Sequence, residues 1–448
     1  MPLSLPTVRS LSRAFALTAV CAAIAPHALA DTQSDRIEQL EKKLEQSLKL
    51  IDTLASRLAE VERGKAPAAT AKAVVAEPAP ELVRLQEAVA QISESLSQRS
   101  NDTGLPLHGF ADVGGAWSSA GDSLPLRGFN GGTLDLYLTP QFGDRVKSLI
   151  ELAVEYGPDG GIGLDMERLQ IGYTLSDGLT LWAGRFHTPF GLWNTAFHHG
   201  ANLQTSIYRP RFVDFEDKGG IIAAHSVGLW LSGKTSLDSG KLSYDTYLAN
   251  GSSIRGRVLD FNAYTDDTAN KLLGFNLGYA PRGALSGLTL GLHGFASRVQ
   301  VLDASEAALS LTQVRMLGAY AGYDADDWEV LAEYYGFRNT DAASGGGRNS
   351  AAWFAQVGKS FGQWTPFVRH ERAALAAADR YFSSQASGRS YQRSSAGLRY
   401  ALDPRSSLKL EISSSTENAA SLLDAAGAPV AFGGGSYRRG AFQYSIAF

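Results

Sequence analysis

The chain has 448 residues, 41 Lys and Arg against 45 Asp and Glu, a formal net charge of −4 and one cysteine, Cys21. So mild a balance offers no basic face to nucleic acid, and a lone thiol excludes both a disulfide scaffold and a thiolate metal site. No run of 18 or more apolar residues occurs, which excludes membrane-spanning helices.

Residues 1–30 read as a secretory signal peptide. Arg9 and Arg13 are the only charges ahead of a mostly apolar stretch, 14–25, and Ala28 and Ala30 supply the small residues of a cut after Ala30. The apolar run is too short for a spanning helix of roughly 20 residues. A lipoprotein cut before Cys21 is the weaker alternative, because Val20 is bulky where a small residue is expected. Residues 31–63 then carry heptads: Ile37, Leu44, Ile51 and Leu58 at one position, Leu40, Ser47, Leu54 and Val61 three residues later. The narrow seam predicts a self-associating α-helical coiled coil rather than a helix packed on its own chain, whose apolar stripe is wider. Residues 64–106 form a linker, alanine-rich with Pro67, Pro78 and Pro80, followed by a short second heptad run through Leu82, Leu85, Val89, Ile92 and Leu96.

From Leu107 to the terminus the period falls to two. Leu134, Leu136 and Leu138 alternate with Asp135 and Tyr137; Ile150, Leu152 and Val154 with Glu151, Ala153 and Glu155; Leu169 and Ile171 with Arg168 and Gln170; Leu398 and Tyr400 with Gly397 and Arg399; Leu408, Leu410 and Ile412 with Lys409 and Glu411. The last strand runs Phe442, Tyr444, Ile446, Phe448. The predicted fold over 107–448 is an all-β transmembrane barrel of about 16 antiparallel strands. Strand starts are expected near Leu107, Thr133, Lys147, Leu164, Leu179, Gly220, Lys241, Lys271, Gly287, Gln313, Trp328, Ser350, Trp364, Tyr391, Ser406 and Tyr437. Short turns at 140–146, 176–178, 233–240, 281–286, 324–327, 361–363 and 403–405 are expected to alternate with longer connections, as periplasmic turns alternate with extracellular loops. Both chain ends then fall on the periplasmic side. A soluble β-sandwich alternates too, but about 340 residues without a helix, and charges opposite Leu and Ile, favour the barrel.

Sixteen strands enclose an aqueous lumen where eight are filled by their own side chains. Asp135, Glu151, Glu155, Arg168, Arg399, Lys409 and Glu411 are the candidate lumen wall, on the expectation that water reaches their charges. The longest connection, about 187–219, mixes aromatics with charges and is too apolar to lie in water. It is expected to fold inward and narrow the pore, with Arg185, His187, His198, His199, Arg209, Arg211, Asp214, Glu216, Asp217 and Lys218 at the constriction. Chemistry is not indicated: His198-His199 lacks a third ligand at useful spacing, Glu151 and Glu155 read as solvated, and the glycines of 157–163 are turn material. No cofactor, metal or catalytic residue is expected.

The heptads of 31–63, the stretch Gly184-Arg185-Phe186-His187-Thr188-Pro189-Phe190-Gly191 and the strand ending at Phe448 resemble the general porins and, more closely, the phosphate-selective porin O and P superfamily of Gram-negative outer membranes, of the type with an N-terminal periplasmic coiled coil. The resemblance covers the mature chain at the level of architecture. It implies a homotrimer with one pore per protomer, passive diffusion of small hydrophilic solutes, and anions such as phosphate or dicarboxylates as cargo. The terminal Phe448 resembles the signal read by the barrel assembly machinery. Phosphate-selective members line the pore with a ladder of arginines and a ring of lysines; Arg185, Arg209, Arg211 and Lys218 could contribute to such a set here, but acids crowd beside them and lysines are few. The rival expectation is a ligand-specific uptake barrel or a surface-binding outer-membrane protein, with its binding surface on the connections after Gly251, Ala373 and Ser415.

Overall fold

A computed structural model describes residues 107–448 apart from 121–127, 157–160, 198–200, 215–218, 264–268 and 424–427. The signal peptide, the coiled coil and the linker lie outside the described residues, as do His198, His199, Glu216, Asp217 and Lys218.

Sixteen long strands build the fold: β1 (Leu107–Ser118), β2 (Thr133–Leu138), β3 (Val146–Tyr156), β4 (Ile162–Ser176), β5 (Leu179–His187), β6 (His225–Leu237), β7 (Gly240–Asn250), β8 (Lys271–Pro281), β9 (Leu288–Leu302), β10 (Ala308–Ala325), β11 (Trp328–Asp341), β12 (Gly347–Lys359), β13 (Trp364–Ala374), β14 (Tyr391–Asp403), β15 (Ser406–Glu417) and β16 (Gly435–Ala447). Each pairs antiparallel with the next in sequence, and β1 pairs with β16 from Phe110↔Ala447 to Ser118↔Arg439, so the sheet closes on itself. Closure satisfies every edge, which a β-structure in lipid requires. Beyond β16, Phe448 and Gly109 exchange two backbone hydrogen bonds of 3.0 Å, so the last residue seals the junction.

The two-residue rhythm sorts side chains between the faces. On β15, Glu411 is 2% exposed and its neighbour Ile412 64%. Leu408, Leu410, Leu169, Ile171, Leu229, Leu292, Leu317 and Val368 join Ile412 on an exposed apolar exterior. Each such side chain costs about 1.5–3 kcal/mol in water relative to burial. A belt of this size is therefore stable only in hydrocarbon, as the sequence pattern requires.

Two strand starts differ from expectation. β6 begins at His225 rather than Gly220, because Ile221 and Ile222 are buried in the barrel's interior cluster instead of alternating toward lipid. β10 begins at Ala308, ahead of Gln313. The expected alternation of short and long connections is also incomplete: 157–161, 303–307 and 342–346 are as short as the turns at the other end.

The interior is not wet throughout. Inward residues of β9–β14, including Val299, Val314, Met316, Leu331, Tyr335, Phe337, Phe354 and Tyr391, form one apolar cluster with Phe190, Trp193, Phe212, Val213, Ile221 and Ile222 of the long connection 188–224. Ile254, Leu259 and Phe261 from 251–270 join it, as do Leu375, Tyr381 and Phe382 from 375–390. The connections after Gly251 and Ala373 thus turn their apolar residues inward. The aromatics of 188–224 find an apolar wall to bury against, and the strands opposite supply it.

Candidate functional site

The stretch 184–191 launches the long connection. Gly184 has φ 123°, and a Cβ there would lie 2.1 Å from the Leu169 carbonyl oxygen. This break in the strand lets Arg185, Phe186 and His187 all bury, where strict alternation would send one to lipid. Thr188 N–H donates to Ala224 O at 2.8 Å, and Asn194 Nδ2 donates to Thr188 O at 2.8 Å and to Ala224 O at 3.3 Å, pinning the two ends of the connection together. Gly191, at φ 63°, passes so close to the wall that a Cβ would lie 2.2 Å from Glu333 Oε2 and 2.3 Å from the Tyr335 hydroxyl.

A buried polar seam ties the connection to the wall. Glu333 of β11 accepts from Trp193 N–H and from the Tyr335 hydroxyl, both at 2.5 Å. Thr205 Oγ1 donates to Glu329 at 2.6 Å. Glu411 of β15 accepts the N–H groups of Ile207 and Tyr208 at 2.8 and 3.0 Å. Arg369 of β13, with no exposed side-chain surface, donates to Tyr208 O at 2.8 Å and Ser206 Oγ at 3.0 Å while lying 3.3 Å from Glu411. Arg393 of β14 donates to Arg209 O and, at 2.5 Å, to Glu371, which also accepts Arg211 N–H at 2.6 Å. Lys409 donates to Ala201 O and Ser206 O, and Arg399 to Asn202 O at 3.2 Å. Buried backbone groups need partners; strand side chains supply those that an irregular segment cannot supply for itself.

The expected wall residues thus have definite places. Asp135, Glu151, Lys409 and Glu411 are buried, so the expectation that water reaches all these charges is corrected: protein groups satisfy several of them. Glu151 pairs with Arg168 and lies 3.4 Å from His187 Nε2. Glu155, Arg168 and Arg399 keep partial exposure. Of the expected constriction residues, Arg185 lies 3.5 Å from Glu167 and donates to Asn262 Oδ1 at 2.7 Å. Arg211 lies 2.5 Å from Glu417 and 4.5 Å from the Tyr391 ring centroid. Arg209 is 7% exposed. Burial pushes its guanidinium down to about 10, opposed chiefly by Asp214, so it stays charged at neutral pH. Arg209 and Arg211 therefore sit in the loop–wall seam rather than on a water-facing surface. Asp214 keeps partial exposure.

Glu329, Glu333, Arg369, Glu371 and Arg393 escaped the sequence reading. The signal was available in Val368-Arg369-His370-Glu371, where two opposite charges share the inward face at spacing two. Other inward charges with partial access to solvent include Asp112, Lys147, Asp165, Asp245 and Arg439, the last 5.3 Å from the Tyr208 ring. Among the described residues, no group of three or more His, Cys, Asp or Glu is placed to hold a metal ion.

The sequence matches no family model and no curated protein. The structure is similar to an anion-selective porin from Comamonas acidovorans, with TM-score 0.53 and 16% identity over 77% of this chain and 99% of that one. It is also similar to the trimer form of OmpT, an outer-membrane protein of Vibrio cholerae, with TM-score 0.50 and 10% identity over the same shares. At such identities the likeness is one of fold.

Proposed function

We propose that the chain is an outer-membrane porin through which small hydrophilic solutes diffuse passively, and that 188–224 narrows the passage. One observation carries the reading: a closed barrel of sixteen strands with an apolar exterior and a charged interior, which holds a long connection bonded to β11–β15. A barrel of that size is wider than its own side chains fill. The loop leans on one side of the interior, which leaves β1–β4 as the opposite wall of the passage. The tight turns are assigned to the periplasm, the same compartment as the coiled coil expected from the heptads of 31–63, and Phe448 is assigned as the assembly signal. The heptads and the trimeric state of the Vibrio protein support a homotrimer. They also keep the type with a periplasmic coiled coil, within the porin O and P superfamily, as the nearest sequence resemblance.

Solute preference is the finer question. An anion channel draws support from the Comamonas porin, but the arginines assigned to that task are engaged in contacts within the protein: Arg185 with Glu167, Arg211 with Glu417, Arg209 in the seam. The inward groups with partial access include the acids Asp112, Glu155, Asp165, Asp214 and Asp245 beside Lys147, Arg168, Arg399 and Arg439. That balance favours a weakly selective passage over phosphate specificity. Reversal potentials in a salt gradient test it: values near zero or slightly cation-preferring are expected, and a strong anion preference contradicts it. Excising 193–213 tests the constriction, since unitary conductance should rise; an unchanged value would remove the loop from the passage.

A further inference from the structure

The interior carries many aromatics, and nearly all are covered. Phe186, Tyr247, Tyr335 and Phe354 are at most 1% exposed. Trp182 of β5 and Trp230 of β6 are different. They stack at 5.8 Å and 20° on adjacent strands, point inward beside the tight turns, and keep part of their surface accessible. Trp230 also packs on Phe186, with ring centroids 5.5 Å apart, at the rim of a small cluster with Tyr247 and Leu272. Their polar edges are already satisfied, Trp182 Nε1 donating to Ser232 Oγ at 3.1 Å and Trp230 Nε1 to Asp245 at 2.9 Å. What they leave accessible beyond these bonds is apolar ring surface. The part of the two rings that stays accessible on the wet side of the barrel has a cost that serine or threonine would avoid.

The pair lies in a recess of about 350 Å³. Lys147 Nζ stands 5.4 Å from the Trp182 centroid, and Lys234 and Asp177 complete the rim. The recess is thus lined by two ammonium groups, the two carboxylates of Asp177 and Asp245, and the hydroxyls of Ser232 and Ser243. For an anion the carboxylates oppose what the lysines attract. For a neutral ring bearing hydroxyls, all of these groups serve as donors and acceptors around an apolar platform, the arrangement by which few polar groups orient a ligand on an apolar floor.

We infer that the Trp182–Trp230 recess is a sugar subsite at the tight-turn mouth of the barrel, where a neutral pyranoside lays its apolar face on the indoles. The inference deepens the porin reading and rests on it for its role in transport. Affinity on the order of 10 mM suits a station that a solute must also leave.

The test uses the full chain in two formats. In planar bilayers, maltose should reduce the single-channel current and add noise; in detergent, the same sugar should change tryptophan emission without any need for conduction. Trp182→Ala with Trp230→Ala should weaken both responses by about tenfold or more while unitary conductance in salt is retained. Trp182→Phe should keep them. A sugar-dependent emission change in a protein that never conducts would leave the subsite standing and remove the porin reading. Steady currents and emission indifferent to maltose would overturn the subsite and leave the porin. Equal responses in the double-alanine variant, or blockade by benzoate where maltose has none, would also overturn it.

Discussion

Arg369 illustrates how this interior is stabilised at the level of single side chains. It is fully buried between Glu371 and Glu411, 3.6 and 3.3 Å away, and reaches loop oxygens of Ser206 and Tyr208. Removing one partner of a buried ionic group strands the others, at a cost of about 3–5 kcal/mol. Arg369→Leu should therefore lower the unfolding temperature in detergent and make the current noisy, and adding Glu411→Gln should recover part of the stability. Alternation in the sequence marks such residues as inward. It does not show that Arg369 meets a loop residue some 160 positions away, nor that Arg209 and Arg211 turn to the wall rather than to water, because burial of a loop charge depends on the surface opposite. A second side chain acts outside the membrane. Asp303 accepts from the Ser305 hydroxyl at 2.7 Å, from Ser305 N–H at 2.8 Å and from Ala307 N–H at 3.0 Å, bonds led by the Ser305 hydroxyl that hold its carboxyl below the ordinary 3.8. Its folded value being depressed, its contribution is present above 3.8 and is lost as pH falls through the lower, folded value. Amide protection at Ala307 should be flat through neutral and mildly acidic pH and fall only below 3.8; loss already near pH 6 would contradict the assignment.

Strands were legible where lipid writes one face and polar groups the other, as in β3, β4, β14, β15 and β16. The reading failed where apolar residues face inward. Ile221-Ile222 looked like the start of a strand, yet both pack beneath the loop; greasy toward lipid and greasy toward a buried loop are the same letters. Residues 303–307 and 342–346 looked longer because β10 and β12 extend beyond the positions that alternate clearly. The element most sensitive to substitution should be the passage from β5 into the loop. At Gly191 a methyl group meets Glu333 and Tyr335 at under 2.5 Å, so Gly191→Ala must displace the carboxylate that accepts Trp193 N–H. A loss of about 1–3 kcal/mol is expected, as for losing a buried hydrogen bond, read as a lower melting temperature in detergent. Gly283, at φ 74° with nothing within 4 Å of an added Cβ, is the control: Gly283→Asn should be tolerated.

At the scale of the whole molecule, closure, exterior and interior make one argument. Pairing β1 with β16 removes the edges, the exposed leucines and isoleucines require hydrocarbon, and the circumference of sixteen strands exceeds what inward side chains fill. The loop fills the β9–β15 side and is bonded in place by Glu333, Arg369, Arg393, Lys409 and Glu411. On the proposed reading the opposite wall, where Asp112, Glu155, Asp165 and Arg168 keep partial exposure, borders the water-filled passage. Unitary conductance of the purified, folded full chain in planar bilayers tests this most directly. The account predicts discrete, ohmic current steps at low voltage that persist without added ligand; a correctly folded barrel that inserts and stays electrically silent would contradict it.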